Sequence, residues 1–175
     1  MRAYIFNMFM GLFLTSSMVF AQPESGKQIG QARDWSVFKD ENPTQCWAVS
    51  VPDRPAENTK DKRKVSVKRG DIQFMVQYSP ANKVRGQVSF TGGYTFAEGS
   101  KVTLSIDGKN FGLATNGEWA WPIDAAADIE VVAAMKRGKA AVLTARSSRG
   151  TTTKDTFSLL GFTDAVEDAA KRCGG

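Results

Sequence analysis

From residue 35 onward the chain is punctuated: segments of roughly four to eight residues, rich in β-branched and aromatic side chains, alternate with Gly, Pro, Asn and Asp turn signals. The candidate strands are residues 35–39, 46–51, 65–68, 72–78, 84–91, 101–106, 110–114, 118–121, 140–147 and 152–159. Strands this short bury too little surface alone and have to be layered against one another. Asp107-Gly108 and Asn116-Gly117 each separate two segments and tolerate positive φ, so type I′ turns and a three-stranded meander are expected over residues 101–121. The expected fold is mainly β, an antiparallel β-sandwich of about 8–10 strands with two short helices.

The helices are the two stretches that break this pattern. Residues 124–137 are Ala-rich, with Asp124, Asp128 and Glu130 early, Lys136 and Arg137 late and Gly138 just beyond, the charge order that complements a helix macrodipole. Near the C-terminus, Thr163 or Asp164 is placed to cap a second helix in which Val166, Ala169, Ala170 and Cys173 recur at i, i+3, i+4 and i+7. That spacing puts Cys173 on the buried face.

The N-terminus carries an export pattern. Arg2 precedes a mostly apolar run over residues 4–14, and Val19-Phe20-Ala21 supplies a cleavage site after Ala21. The run falls short of the roughly 20 apolar residues a bilayer span needs. Residues 22–34, polar and without periodicity, read as a flexible leader, and 35–175 as one domain. In an exported chain the two cysteines, Cys46 and Cys173, are expected to form a disulfide that clamps the last helix onto the sheet. Closing so long a loop is worth about 4–5 kcal/mol in the chain-entropy picture.

Hydrophobic residues make up 42% of the 175 positions and charged ones 23%, the balance of a globular domain. There is no histidine, which removes Ser-His-Asp and Cys-His hydrolysis and His-ligated zinc. The carboxylates Asp124, Asp128 and Glu130 suit a first helical turn better than acid–base work, and no window has the order of a calcium loop. No catalytic residue, metal or cofactor is expected.

Charge is concentrated in one place. Residues 54–85 hold nine Lys or Arg against Glu57, Asp61 and Asp71, and Lys60, Lys62, Arg63, Lys64, Lys68 and Arg69 lie within ten positions. The cluster is a candidate patch for an anionic glycan or lipid surface, or for an acidic envelope or host protein; its alternative is a solvated hairpin tip. Nucleic acid is not an expected partner, because the aromatics of the neighbouring strand alternate like a core face. Trp47, Trp119 and Trp121 fall in candidate strands and Trp35 opens the first, where core packing outweighs a stacking platform. Thr91-Gly92-Gly93-Tyr94 reads as a turn, and residues 147–153 as a polar hairpin tip with no base beside it.

Taken together, Trp35 and Cys46, Val132-Ala133-Ala134-Met135-Lys136-Arg137-Gly138, Ser148-Arg149-Gly150-Thr151, Asp155-Thr156-Phe157-Ser158-Leu159, Gly161-Phe162 and the closing Cys173 resemble the invasion-associated locus B family. The resemblance spans residues 35–175. It implies an exported envelope protein of the alphaproteobacterial type, a β-rich fold with a terminal disulfide, and a non-catalytic role in host-cell interaction or invasion exercised through protein or glycan contact. The family has no agreed catalytic residues to carry onto this chain. The second reading is a periplasmic housekeeping factor, an inhibitor or chaperone-like binder without host contact.

Overall fold

A computed structural model describes residues 26–174. The expected export signal over 1–21 lies outside the described residues, as does 22–25 of the expected leader. In chain order the strands are β1 (Lys27–Ala32), β2 (Trp35–Glu41), β3 (Thr44–Ser50), β4 (Glu57–Lys60), β5 (Arg63–Lys64), β6 (Gln73–Ser79), β7 (Val84–Thr91), β8 (Lys101–Ile106), β9 (Lys109–Asn116) and β10 (Trp119–Trp121). Helix α1 (Ala125–Arg137) follows, then β11 (Ala140–Arg146), β12 (Thr152–Ser158) and helix α2 (Phe162–Cys173). All neighbouring strands pair antiparallel, in the order β1-β2-β3-β6-β7-β10-β9-β8-β11-β12-β4-β5.

This single hydrogen-bonded sheet folds over on itself, so its two halves are the layers of the expected sandwich. In a flat sheet β6 and β12, six places apart, would be separated by roughly 29 Å at the usual interstrand spacing. Instead the Phe74 and Phe157 rings stand 5.5 Å apart, and Phe157 also meets Phe90 edge-on at 6.1 Å. Trp35 of β2 closes the other side by donating its indole N–H to the Ser158 carbonyl at 3.0 Å. The enclosed core contains Trp35, Phe74, Phe90, Leu104, Leu113, Leu143, Phe157 and Phe162, all fully buried.

The meander over residues 101–121 is present as β8–β9–β10. Asp107 and Gly108 both have positive φ, as a type I′ turn requires. The second turn differs from the expectation: Asn116 pairs with Trp119, so Gly117 and Glu118 are the central residues and only Gly117 has positive φ, the pattern of a II′ turn.

Three further expectations change. Residues 27–32, read as leader, form β1 on the edge beside β2, with Gln28 reaching the Ser36 hydroxyl; pairing orders a segment whose own composition is polar. Residues 65–68 are not a strand; the chain uses the polar hairpin β4–β5 instead, and Val65 returns only one amide, to the Asn58 carbonyl. Helix α2 starts one residue before Thr163, from Gly161 in a left-handed conformation (φ +84°), where a Cβ would strike the Ala32 carbonyl. No side chain caps it.

The remaining helix expectations stand. Asp124 caps α1 by accepting the Ala127 amide at 2.8 Å, and Gly138 ends it. Helix α2 lays Phe162, Ala165, Val166, Ala169 and Cys173 against β1, β2, β3 and β6. The disulfide joins Cys173 to Cys46 on β3 across a Cα separation of 5.6 Å. Among the described residues no helix is long and apolar enough to cross a membrane.

Candidate functional site

The topology makes one excursion that sets up the site. After β3 the chain leaves its layer, lays β4 along β12 in the opposite layer, turns through β5 and returns as β6 beside β3. Two backbone hydrogen bonds tie the ends of this 51–72 crossing, Asp53 N–H to the Thr156 carbonyl (3.0 Å) and Gly70 N–H to the Gly93 carbonyl (2.9 Å). The whole basic cluster lies on it.

The structure separates that cluster into two kinds of cation. Lys60, Lys62, Arg63, Lys64 and Lys68 are exposed. Arg69 is not: its side chain is 7% accessible and its guanidinium grips the fully buried Asp155 through two bonds of 2.7 Å. Its Nε donates to the Gly92 carbonyl at 2.7 Å, and the guanidinium lies 5.1 Å from the centre of the Tyr94 ring. Arg69 therefore drops out of the surface patch. A buried carboxylate needs a hydrogen-bonded cation, and Arg69 is the one the crossing brings there.

Along the inward face of β12, three alternate positions change character. Phe157 faces the aromatic core, Asp155 takes Arg69, and the Thr153 hydroxyl meets the Tyr94 hydroxyl at 2.6 Å. Burial raises the Tyr94 pKa above its usual 10, with the Thr153 hydrogen bond and Arg69 opposing. Above this polar end opens a cleft of about 560 Å³, bordered by Ser66 and Lys68 from the crossing, Tyr94 and Thr95 from the β7–β8 loop, Glu118 from the β9–β10 turn, and Ser147, Ser148, Arg149 and Thr151 from the β11–β12 turn.

The β11–β12 turn, expected to be a polar tip, is held on both sides. Ser147 N–H donates to the Thr151 carbonyl (2.8 Å), Gly150 N–H to the Ser147 carbonyl (2.8 Å), and Thr151 N–H to the Ser147 hydroxyl (3.1 Å). Ser148 N–H reaches across to the Thr95 carbonyl at 2.9 Å. Arg149 stands exposed on this pinned backbone. At Thr91-Gly92-Gly93-Tyr94, read as a turn, Gly93 has φ +71° and packs so closely on the Gly70 backbone that a Cβ would come within 2.5 Å of its carbonyl oxygen.

The carboxylates and tryptophans singled out in the sequence lie outside this cleft. Asp128 does more than complement a helix end: buried on α1, it accepts the Val88 amide of β7 at 2.8 Å. Strand β10 pairs with β7 only at Thr91 and Phe90, so the next amide needs a side-chain acceptor. Burial pushes the Asp128 carboxyl above its usual 3.8, against the Val88 hydrogen bond and with a smaller push from Asp124. Glu130 is exposed and Asp124 is the helix cap, so the three carboxylates do not converge on one point of action. Of the four Trp for which core packing is expected, only Trp35 is in the core; Trp47, Trp119 and Trp121 are partly buried outside it, Trp47 stacking on Phe38 at 5.9 Å.

Comparison with known proteins agrees with this architecture. The crystal structure of invasion associated protein b from Bartonella henselae superposes with a TM-score of 0.54 at 17% identity, covering 83% of this chain and 96% of that one. Among curated proteins none matches. The family described as invasion associated locus B (IalB) protein matches residues 35–170, most of the chain, and on that match the chain belongs to the invasion-associated locus B family.

Proposed function

We propose that the protein is an exported, non-catalytic cell-envelope component that works by contact, with the β4–β5 hairpin as its contact surface for an anionic partner in host-cell interaction. The carrying observation is the placement of Lys60, Lys62, Arg63 and Lys64 on a hairpin at the end of the sheet, exposed, with Lys68 following; among the described residues none of the five is in an ion pair. Unpaired cations on a held backbone attract anionic surfaces and lose that attraction as salt shortens the Debye length. The name of the Bartonella henselae protein, invasion associated protein b, supports the host-facing form of this reading.

Two measurements test it. Binding to phosphatidylglycerol vesicles is expected to fall with salt and to be abolished by K62E/R63E/K64E; undiminished binding by that variant removes the hairpin as the surface. Protease added to intact cells is expected to digest the protein. Protection until the outer membrane is opened favours instead a periplasmic housekeeping role, as an inhibitor or chaperone-like binder.

A further inference from the structure

We propose that the cleft beside the hairpin binds a carboxylate-bearing sugar residue, Arg149 and Lys68 taking the carboxylate while Glu118 and the exposed Ser148 hydroxyl take ring hydroxyls. The inference deepens the contact reading, on which it rests, by naming a ligand class and a second, separate surface.

Charge selects the class. Of the three cations at the cleft, Arg69 is neutralised by Asp155 through both arms of its guanidinium. Lys68 and Arg149 remain against Glu118, a net of one positive charge. A carboxylate brings one negative charge and matches it. A phosphate monoester brings about 1.5–2 and would leave excess negative charge facing Glu118.

The remaining lining selects a polyhydroxylated carrier. Hydroxyl side chains surround the cations, and a carboxylate such as Glu118 accepts from sugar hydroxyls where a simple anion would be repelled. At about 560 Å³ the cleft falls within the roughly 300–1,000 Å³ of small-molecule sites. Arginine's planar fork fits a carboxylate with two parallel bonds.

The walls are built before any ligand arrives. Arg69 fastens the crossing to Gly92 and Asp155, Tyr94 is fixed by Thr153, and Ser148 ties the Arg149 turn to Thr95. A buried ion pair is a poor source of stability compared with apolar packing, yet it fixes geometry. Preformed walls lower the ordering cost of binding.

The test is a titration of the ¹⁵N-labelled protein, purified from the envelope of cells that export it, with D-glucuronate, D-glucose and inorganic phosphate as separate probes. Glucuronate is expected to give saturable amide shifts at residues 93–95 and 147–151, and glucose none. Arg149→Ala is expected to weaken binding by about tenfold or more, the loss of a charge-assisted pair. Arg149→Lys, which keeps the charge and loses the fork, is expected to fall between. Both variants sit on an exposed side chain, and their spectra report directly that they are folded. K62E/R63E/K64E, whose side chains lie outside the cleft, is expected to weaken glucuronate binding less than Arg149→Ala does. No saturable shift with glucuronate, phosphate binding as tightly as glucuronate, or loss of binding in the hairpin variant would each overturn the inference. Vesicle binding that persists while glucuronate fails removes the cleft alone; glucuronate binding without vesicle binding removes the hairpin alone.

Discussion

The two layers of the sheet are fastened to each other at both ends of β12, by opposite chemistry. At the Ser158 end the seam is aromatic: Trp35 packs edge-on against Phe162 at 4.8 Å, Phe157 fills the space between Phe74 and Phe90, and the disulfide holds α2 nearby on β3. Toward Thr152 the seam is an ion pair and a hydroxyl pair, Arg69–Asp155 and Tyr94–Thr153. Burying apolar surface stabilises directly, whereas a buried ion pair roughly balances its desolvation cost. Where one strand offers both solutions, the polar one is best explained by what it positions: the mouth of the cleft.

The largest effects are expected from cutting either seam, and the comparison breaks or holds on whether the cut can be repaired. Trp35→Ala and Arg69→Met are each expected to cost about 3–5 kcal/mol in denaturant unfolding, the first by leaving a cavity and the second by leaving Asp155 charged and unpaired. The double variant R69M/D155L is expected to recover to wild-type stability or above, because no buried charge remains. If the double variant stays as unstable as Arg69→Met, the ion pair is a structural support like the aromatic seam and the distinction falls.

Next in size is the disulfide. Cys46→Ala with Cys173→Ala is expected to lower stability by about 2–5 kcal/mol. Amide hydrogen exchange would sharpen the comparison: faster exchange is expected in α2, with unchanged exchange at residues 147–151, because the two seams are fastened independently. Equal acceleration at both ends would mean that the molecule opens as one unit.

The apolar seam was legible in the sequence and the polar one only in part. β-Branched and aromatic side chains between turn signals marked residues 84–91 and 101–106 with the bounds the strands have, and the i, i+3, i+7 spacing of Val166, Ala169 and Cys173 marked the buried face of α2. On β12 the alternation of side chains along a strand puts Thr153, Asp155 and Phe157 on one face, and an acidic residue between two inward positions signals a required cation. Nothing local names that cation: Arg69 is 86 residues away and sits in a run of exposed charges that hides it. Strand β1 and the hairpin β4–β5 were missed because their order comes from backbone pairing with a neighbour, which leaves no hydrophobic period to read.

A smaller effect separates a charge that supports the fold from one that serves a surface. Asp128→Ala leaves the Val88 amide without an acceptor and is expected to cost about 1–3 kcal/mol. Asp128→Asn keeps an acceptor and removes the buried charge, so its stability at pH 7 is expected to stay within about 1 kcal/mol of wild type. The pH profile gives the sign. Burial raises the folded carboxyl above 3.8, so the folded state holds this proton more tightly than the unfolded chain. Its contribution is therefore most favourable below 3.8, declines as pH rises through the folded value, and is flat beyond it. The Asn variant is expected to lose that decline; an unchanged slope would assign it to other carboxylates.

The smallest stability effect is expected where the functional effect is greatest. Strand β5 ends the sheet, and an unpaired edge invites strand addition by another chain unless charge repels it. The cations at 62–64 thus have one use that the topology gives them, guarding the edge, and a second that is proposed, meeting an anionic partner. K62E/R63E/K64E keeps a charged edge and is expected to stay monodisperse, with stability within about 0.5 kcal/mol of wild type, yet to lose vesicle binding. K62T/R63T/K64T removes both uses and is expected to lose vesicle binding and to self-associate in sedimentation. Vesicle binding retained by the Glu variant, with self-association confined to the Thr variant, would assign these charges to edge protection alone. Arg149 in the cleft would then carry the electrostatic contact, and the polar seam that fixes its surroundings would be the functional centre of the molecule.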